Sequence, residues 1–216
     1  MKRNPLTPSQ RAFLWVYHRF TYAFVGFKDP FAAEHVRQEG VRGFLRWART
    51  SFELFGQLDK RFGVVESQLI IAFAAMWTGC RWCSIGHVLS ANLELLAREG
   101  ELGPLDELTI PELQMMQDSE LLEVLLQRFS GPRWEKLNGL MRRQYLLRTG
   151  QVEEESRDDE LLQTTNIMWE WVVECSITAM DVDPREIPPQ TPIGKDRKLR
   201  ARYYEARKQK ALAGEP

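Results

Sequence analysis

The amino-acid sequence predicts an all-α protein, and three observations support this prediction. Apolar residues recur mostly three and four positions apart, which is the spacing of one helix face. No series of short alternating strands separated by turns is present in the sequence. The helical patterns are separated by glycine and proline, which often end helices. With 216 residues, 44% of them apolar, the chain can bury a core as one domain with extensions.

The first two predicted helices lie in the aromatic-rich N-terminal part of the chain. Residues 8–27 form an apolar run that ends near Gly26 and the turn at residues 29–30. The polar side of this run lacks the basic stripe of a membrane-surface helix, which favours packing in the core or against another subunit. A second helix is predicted over residues 31–55, with Gly40 and Gly43 weakening its middle.

The next two predicted helices surround the cysteines. Residues 65–79 include a stretch, 69–77, that is apolar on every side and therefore predicts a buried helix. Gly79 fits a left-handed cap at the end of this helix. A fourth helix should run from Cys80 to about Arg98.

The C-terminal half is divided by further glycine and proline residues. Its predicted elements are a helical turn with Pro111 near its start, a helix over 120–129 capped by Ser119, and helices over 133–150 and 161–180. The acidic segment 152–160 is interpreted as solvated. Residues 195–216 are mostly charged and predict an exposed tail helix or a disordered end. We interpret the basic residues of this tail as a solvated face, or as an arm against a neighbouring subunit, in preference to an RNA site.

The charge balance argues against several classes of partner. The chain carries 29 basic and 30 acidic residues, so no global field attracts nucleic acid or an anionic membrane. No apolar run reaches the roughly 20 residues that cross a bilayer. No N-terminal stretch has the pattern of a signal peptide. We therefore expect a cytoplasmic protein with neither nucleic acid nor membrane as its partner.

The stretch GCRWCSIGH, residues 79–87, holds two of the three cysteines and one of the three histidines. Because a helix turns about 100° per residue, Cys80, Cys83 and His87 should share one face. The large apolar residues of the same helix fall on the opposite face: Trp82, Ile85, Leu89, Leu93 and Leu96. The cysteine face continues with small or charged residues: Ala91, Glu94 and Arg98. We therefore expect the cysteine face to be partly wet or to line a cavity.

This arrangement favours thiol chemistry. A thiol near a helix N-terminus lies at the positive end of the helix dipole, which stabilises the thiolate. His87, one turn beyond Cys83, can accept the thiol proton or hydrogen-bond to the sulfur. A second thiol three residues away can resolve a sulfenic acid or a mixed disulfide by closing a Cys80–Cys83 bond.

Other interpretations of the motif are weaker. Covalent haem attachment is excluded, because the residue after the second cysteine is Ser84 and not histidine. Zinc would need a fourth ligand, and the distant Cys175 has the spacing of a core residue. A thioredoxin-like dithiol normally follows a strand, whereas a long apolar helix precedes this one. Inert, buried cysteines remain an alternative.

A CxxCxxxH dithiol that opens a helix after an alanine-rich buried helix resembles the alkylhydroperoxidase D family of the carboxymuconolactone decarboxylase-like superfamily. The likeness covers residues 60–100 well and the remainder only as a general helical pattern. It implies an all-helical bundle over residues 31–187, flanked by an aromatic-rich extension, 1–30, and a charged tail, 188–216. It also implies a homo-oligomer, as a dimer, trimer or hexamer.

The resemblance implies a thiol-dependent peroxidase or disulfide oxidoreductase that needs neither a cofactor nor a metal. In this family the second cysteine is usually assigned as the attacking thiolate, which would be Cys83. Cys80 would then resolve the intermediate, and His87 would belong to a proton relay. The implied substrate is a hydroperoxide or a disulfide, and the implied electron donor is a lipoyl group or another dithiol.

One position departs from the family pattern. Gln68, with eleven residues between it and Cys80, occupies the place of the family's relay glutamate. An amide forms hydrogen bonds but cannot exchange a proton as a carboxylate does. Glu66 lies about 200° further round the helix and cannot simply replace it. The alternative function is therefore a non-enzymatic interaction or redox-sensing protein on the same fold.

The other two histidines give no catalytic signal. No catalytic spacing surrounds His18 or His35, so both are expected to be surface residues or structural residues with satisfied hydrogen bonds.

Overall fold

The computed structural model describes residues 5–175 and 183–213, apart from the side chains of residues 174 and 175. Within these ranges the protein is all-α, as the sequence predicts, with no strand. The helices are α1 (Pro8–Val25), α2 (Ala32–Phe62), α3 (Val64–Trp77), α4 (Arg81–Arg98), α5 (Ile110–Leu113), α6 (Asp118–Arg128), α7 (Glu135–Arg148), α8 (Arg157–Cys175) and α9 (Arg197–Leu212).

The centre of the fold is the hairpin formed by α3 and α4. Every residue of α3 from Leu69 to Trp77 is buried, because α2, α4, α7 and α8 all pack against this helix. The chain reverses at Gly79, whose φ of 79° places it in the left-handed region that glycine adopts without strain. The predicted buried helix and its glycine cap are both confirmed.

The second helix is longer than predicted. It continues past residue 55 to Phe62, and its solvent-excluded residues include Leu58 and Phe62. Gly40 has φ 68° and ψ 176°, so the helix is kinked at one of the two glycines that the sequence marks as weak, and it is not kinked at Gly43.

Two predicted helix starts are wrong. Helix α6 begins at Asp118 after Gln117, and no side chain caps it, so Ser119 lies inside the first turn and is not its N-cap. Helix α8 begins at Arg157, inside the acidic segment expected to be solvated. The hydroxyl of Ser156 accepts a hydrogen bond from the backbone N–H of Asp159 at 3.1 Å. Acidic side chains in the first turn also interact favourably with the positive end of the helix dipole. The predicted end of this helix, over 176–180, lies outside the described residues.

The charged C-terminal segment forms a helix that contacts the core. Most side chains of α9 are exposed, but Tyr203 is fully buried against Leu89, Leu93 and Leu96 of α4. Its hydroxyl also accepts a hydrogen bond from Asn92 Nδ2 at 3.0 Å. The tail is therefore a docked helix and not only a solvated face. The three-part division of the chain stays a prediction.

No helix within residues 5–175 and 183–213 has the length and apolar character needed to cross a membrane.

Candidate redox site

Cys80 and Cys83 form a disulfide at the N-terminus of α4. Cys80 is the residue that caps the helix, and its Sγ accepts a hydrogen bond from the backbone N–H of Cys83 at 3.3 Å. One of the unpaired donors of the helix start is thus directed at a cysteine sulfur. The two sulfurs are together, as the sequence spacing predicts.

The cysteine face is buried. The exposed fractions of Cys80, Cys83 and His87 are 1%, 3% and 4%, and every residue of α4 from Trp82 to Leu93 is buried. The prediction of a partly wet face is therefore wrong for this part of the helix, because α3 covers one side of α4 and α9 covers part of another. The other half of the expectation is correct, since Cys83 and His87 line a cavity.

This cavity has a volume of about 140 Å³ and is lined by residues of α1, α2, α4 and α8 together with neighbouring loops. Ten of its lining residues are phenylalanine, tyrosine or tryptophan. Phe20, Phe24 and Phe52 belong to this lining and are each more than half exposed, so the aromatic lining reaches the molecular surface. An apolar molecule placed there would lie beside Cys83.

His87 is oriented by Gln68. Its Nδ1 lies 2.7 Å from Gln68 Oε1, and both side chains are buried. An amide oxygen only accepts hydrogen bonds, so Nδ1 carries the proton and Nε2 keeps a lone pair. Burial lowers the pKa of His87 to about 3, so the imidazole is neutral at pH 7 while the disulfide is closed.

Asp29 is the only carboxyl group among the described residues that line the cavity. Its Oδ1 accepts a hydrogen bond from the backbone N–H of Phe31 at 2.8 Å, and its Oδ2 accepts one from the Tyr17 hydroxyl at 3.2 Å. Burial is the largest influence on Asp29 and raises its pKa. The carboxyl group thus supports the start of α2 and adds a titratable group to the cavity wall.

A comparison with family models, curated proteins and solved structures finds no match to this chain. The likeness to alkylhydroperoxidase D therefore rests on the motif residues alone.

The sequence interpretation missed Asp29, Tyr17 and Gln190 as site residues. All three line the cavity, and Gln190 Nε2 also donates to the backbone oxygen of Trp82 at 2.8 Å. In the sequence, the Asp-Pro pair at residues 29–30 indicates only a turn. The available signal is the charge of Asp29 beside an aromatic run, but nothing in the spacing connects Asp29 to α4, which begins 52 positions later at Arg81.

The prediction that His35 is a surface residue or has satisfied hydrogen bonds is wrong. This side chain is fully buried, and neither ring nitrogen has a hydrogen-bond partner in the described part of the chain. Its ring centre lies 4.7 Å from that of Trp47 and 4.6 Å from that of Trp171. His35 is therefore neither a surface residue nor a satisfied one. Burial lowers its pKa to about 4.

Glu66 does not take the place of the missing relay carboxylate. It forms an ion pair with Arg133 at 2.8 Å, and it is not among the residues that line the cavity. Among the side chains that the structure describes, no group of three or more His, Cys, Asp or Glu residues is arranged to hold a metal ion. The side chain of Cys175 lies outside the described residues, so its predicted core position is untested.

Proposed function

We propose that this chain is a thiol-dependent peroxidase or disulfide oxidoreductase in which Cys83 is the nucleophile and Cys80 the resolving cysteine. One observation supports this most strongly: Cys83 belongs to a disulfide at a helix start and also lines, with His87, an apolar cavity. Cys80 is not among the lining residues. A reagent in the cavity therefore meets the sulfur of Cys83 first.

In the peroxidase reaction, the Cys83 thiolate attacks the outer oxygen of a hydroperoxide. The O–O bond breaks, Cys83 becomes a sulfenic acid, and the alkoxide leaves as an alcohol after taking up a proton. The Cys80 thiol then attacks the sulfenic sulfur, water is released and the disulfide forms. His87 takes the proton from the Cys83 thiol and returns it to the leaving alkoxide.

The return step consumes a dithiol donor such as a lipoyl group. One donor thiolate attacks Cys83, and Cys80 leaves as a thiolate. This leaving thiolate is stabilised by the positive end of the α4 dipole and by the backbone N–H of Cys83, which is already directed at Cys80. A stabilised thiolate leaves faster. The second donor thiol closes the donor disulfide and frees Cys83. Two electrons and two protons pass from donor to protein.

The aromatic wall of the cavity favours an apolar hydroperoxide or disulfide as substrate. A cytoplasmic location and a homo-oligomer, as a dimer, trimer or hexamer, belong to the same proposal. The exposed aromatic side chains of α1, among them Trp15 and Phe20, offer an apolar surface for subunit contact.

Counting thiols tests this proposal directly. The fully reduced chain holds three thiols, and one equivalent of cumene hydroperoxide should leave one, because Cys80 and Cys83 close their disulfide. The measurement is a thiol titration of the denatured protein after brief exposure to peroxide. The matched control Cys175→Ser should fall from two thiols to none. Three thiols remaining in the wild type would contradict the proposal.

The second candidate function is a redox-sensing or interaction protein without turnover, and the amide at Gln68 favours it. A neutral imidazole with a pKa of about 3 is a weak base for a thiol proton. A nearby Cys83 thiolate would raise the pKa of His87, but the amide adds no charge of its own.

Substituting Gln68→Glu separates the two candidate functions. A carboxylate beside Nδ1 would raise the pKa of His87 and make it a better base. For an enzyme weakened by the amide we expect the rate constant of Cys83 oxidation to rise about tenfold or more, measured by stopped-flow tryptophan fluorescence. Glu66→Gln on the same helix is the control and should leave the rate unchanged. An unaltered rate in Gln68→Glu would favour the sensor.

A further inference from the structure

A second pocket, of about 220 Å³, lies between α9 and the loop that precedes α5. Three cationic side chains line it: Arg128 at the end of α6, and Arg207 and Lys210 of α9. Asp106 is the one carboxylate among the described residues of its lining, and Thr109 adds a hydroxyl. The lining thus carries a formal charge of +2 in a pocket that takes no part in the redox site.

The cationic wall is built on fixed contacts. Arg207 donates from Nη2 to the backbone oxygens of Gly103 and Leu105 at 3.0 and 3.1 Å, and from Nε to the Tyr203 hydroxyl at 2.9 Å. Tyr203 is fully buried, so this guanidinium is anchored to the core at one edge. The Nη1 edge of Arg207 forms no hydrogen bond within the described ranges.

The other two cations make few contacts with the described residues. Arg128 donates to the Thr109 hydroxyl at 3.1 Å, and Lys210 forms no hydrogen bond with any described residue. None of the three cations forms an ion pair with a carboxylate in residues 5–175 or 183–213. Elsewhere the arginines that bridge different elements are paired, as Arg133 is with Glu66 and Arg143 with Asp159. The pocket therefore concentrates positive charge, which Asp106 in its lining and the buried Glu107 behind the Tyr203 hydroxyl offset only in part.

Favourable interaction with helix dipoles explains only part of this arrangement. Arg128 and Lys210 lie in the last turns of their helices, where a cation interacts well with the negative end of the dipole. Arg207 is one turn earlier and is held by carbonyls of another segment. The convergence of all three on one pocket is what an anion site requires.

We propose that this pocket binds a phosphate group, either as free phosphate or as the phosphate of a small monoester. Such a group carries a charge of about −1.5 to −2 near pH 7, which matches the charge of the lining. The guanidinium of Arg128 offers planar donors for its oxygens, Arg207 adds the N–H groups of its Nη1 edge, and the lysine adds a point charge. The site is independent of the thiol chemistry.

Calorimetric titration of the full chain tests this site. Inorganic phosphate and ribose 5-phosphate are titrated separately, in a phosphate-free buffer at pH 7.5 with about 0.15 M salt, where weak surface attraction is largely screened. We expect saturable binding of at least one ligand. Tighter binding of ribose 5-phosphate identifies a monoester as the source, and equal or tighter binding of inorganic phosphate identifies the free ion.

Two double variants with the same change of charge show where the ligand binds. Arg128→Gln with Lys210→Gln should weaken binding at least tenfold, whereas Arg202→Gln with Lys208→Gln should change it less than twofold. The control cations lie on the same helix, are exposed and do not line the pocket. Arg207 is left intact because it anchors α9, and circular dichroism checks that both variants fold. No saturable heat in the wild type, or equal loss in both variants, would overturn the proposal.

Discussion

Cys83→Ser is expected to abolish peroxide turnover, a loss of about a thousandfold or more. A serine hydroxyl is far less acidic and less nucleophilic than a thiol, and no second sulfur lines the described cavity wall. Turnover is measured as consumption of cumene hydroperoxide with reduced lipoamide as the donor. Steady-state assays should return the uncatalysed rate.

Substitution of the other cysteine, Cys80, should leave a different product. Cys80→Ser keeps the attacking thiolate, so it should consume one equivalent of peroxide and stop at the sulfenic acid, which a dimedone label detects by mass. Cys83→Ser should give no such label in the motif. If Cys80→Ser removes the label and Cys83→Ser retains it, the roles of the two cysteines are reversed. The capping position of Cys80 makes this comparison necessary, because its sulfur also receives the Cys83 N–H.

The central hairpin could be predicted because its information is local. The stretch 69–77 is apolar on every side, and Gly79 marks its end, so a buried helix followed by a reversal follows from short-range rules. The same hairpin brings Gln68 within 2.7 Å of His87 although 19 positions separate them. The cysteine pair, its histidine and the amide that orients the histidine are thus products of one local unit.

The cavity could not be predicted, because distant segments form it. Tyr17 and Asp29 come from α1 and the loop after it, and no periodicity in α4 indicates that these residues cover Cys83. The pattern of α4 also does not predict burial of the cysteine face. Gly86 on α4 was a usable signal, since a Cβ there would lie 2.5 Å from Gln190 Nε2. A glycine inside a buried helix leaves room for another segment to pack closely on it.

We expect His35→Leu to make the protein more resistant to acid. The pKa of His35 is lowered to about 4 in the folded chain and returns to its ordinary value of 6.5 on unfolding. Between these two pH values the unfolded chain binds a proton that the folded chain does not, so the free energy of unfolding falls as the pH is lowered. Leucine removes this proton uptake and also removes two buried ring nitrogens that lack partners among the described residues.

The measurement is urea unfolding of wild type and variant at pH 8, 6.5, 5.5 and 4.5. The two free energies of unfolding should differ by a constant amount above pH 6.5. Below pH 6.5 the free energy of unfolding of the variant should exceed that of the wild type by an additional amount of about 1 kcal/mol per pH unit. At pH 4.5 this additional stability should be about 2 kcal/mol. His18→Leu is the control, and its advantage should grow less because His18 is only half-buried. Parallel pH curves for wild type and His35→Leu would mean that the pKa of His35 is the same in the folded and the unfolded chain. That result would contradict the buried position of His35 between Trp47 and Trp171, where it has no hydrogen-bond acceptor among the described residues.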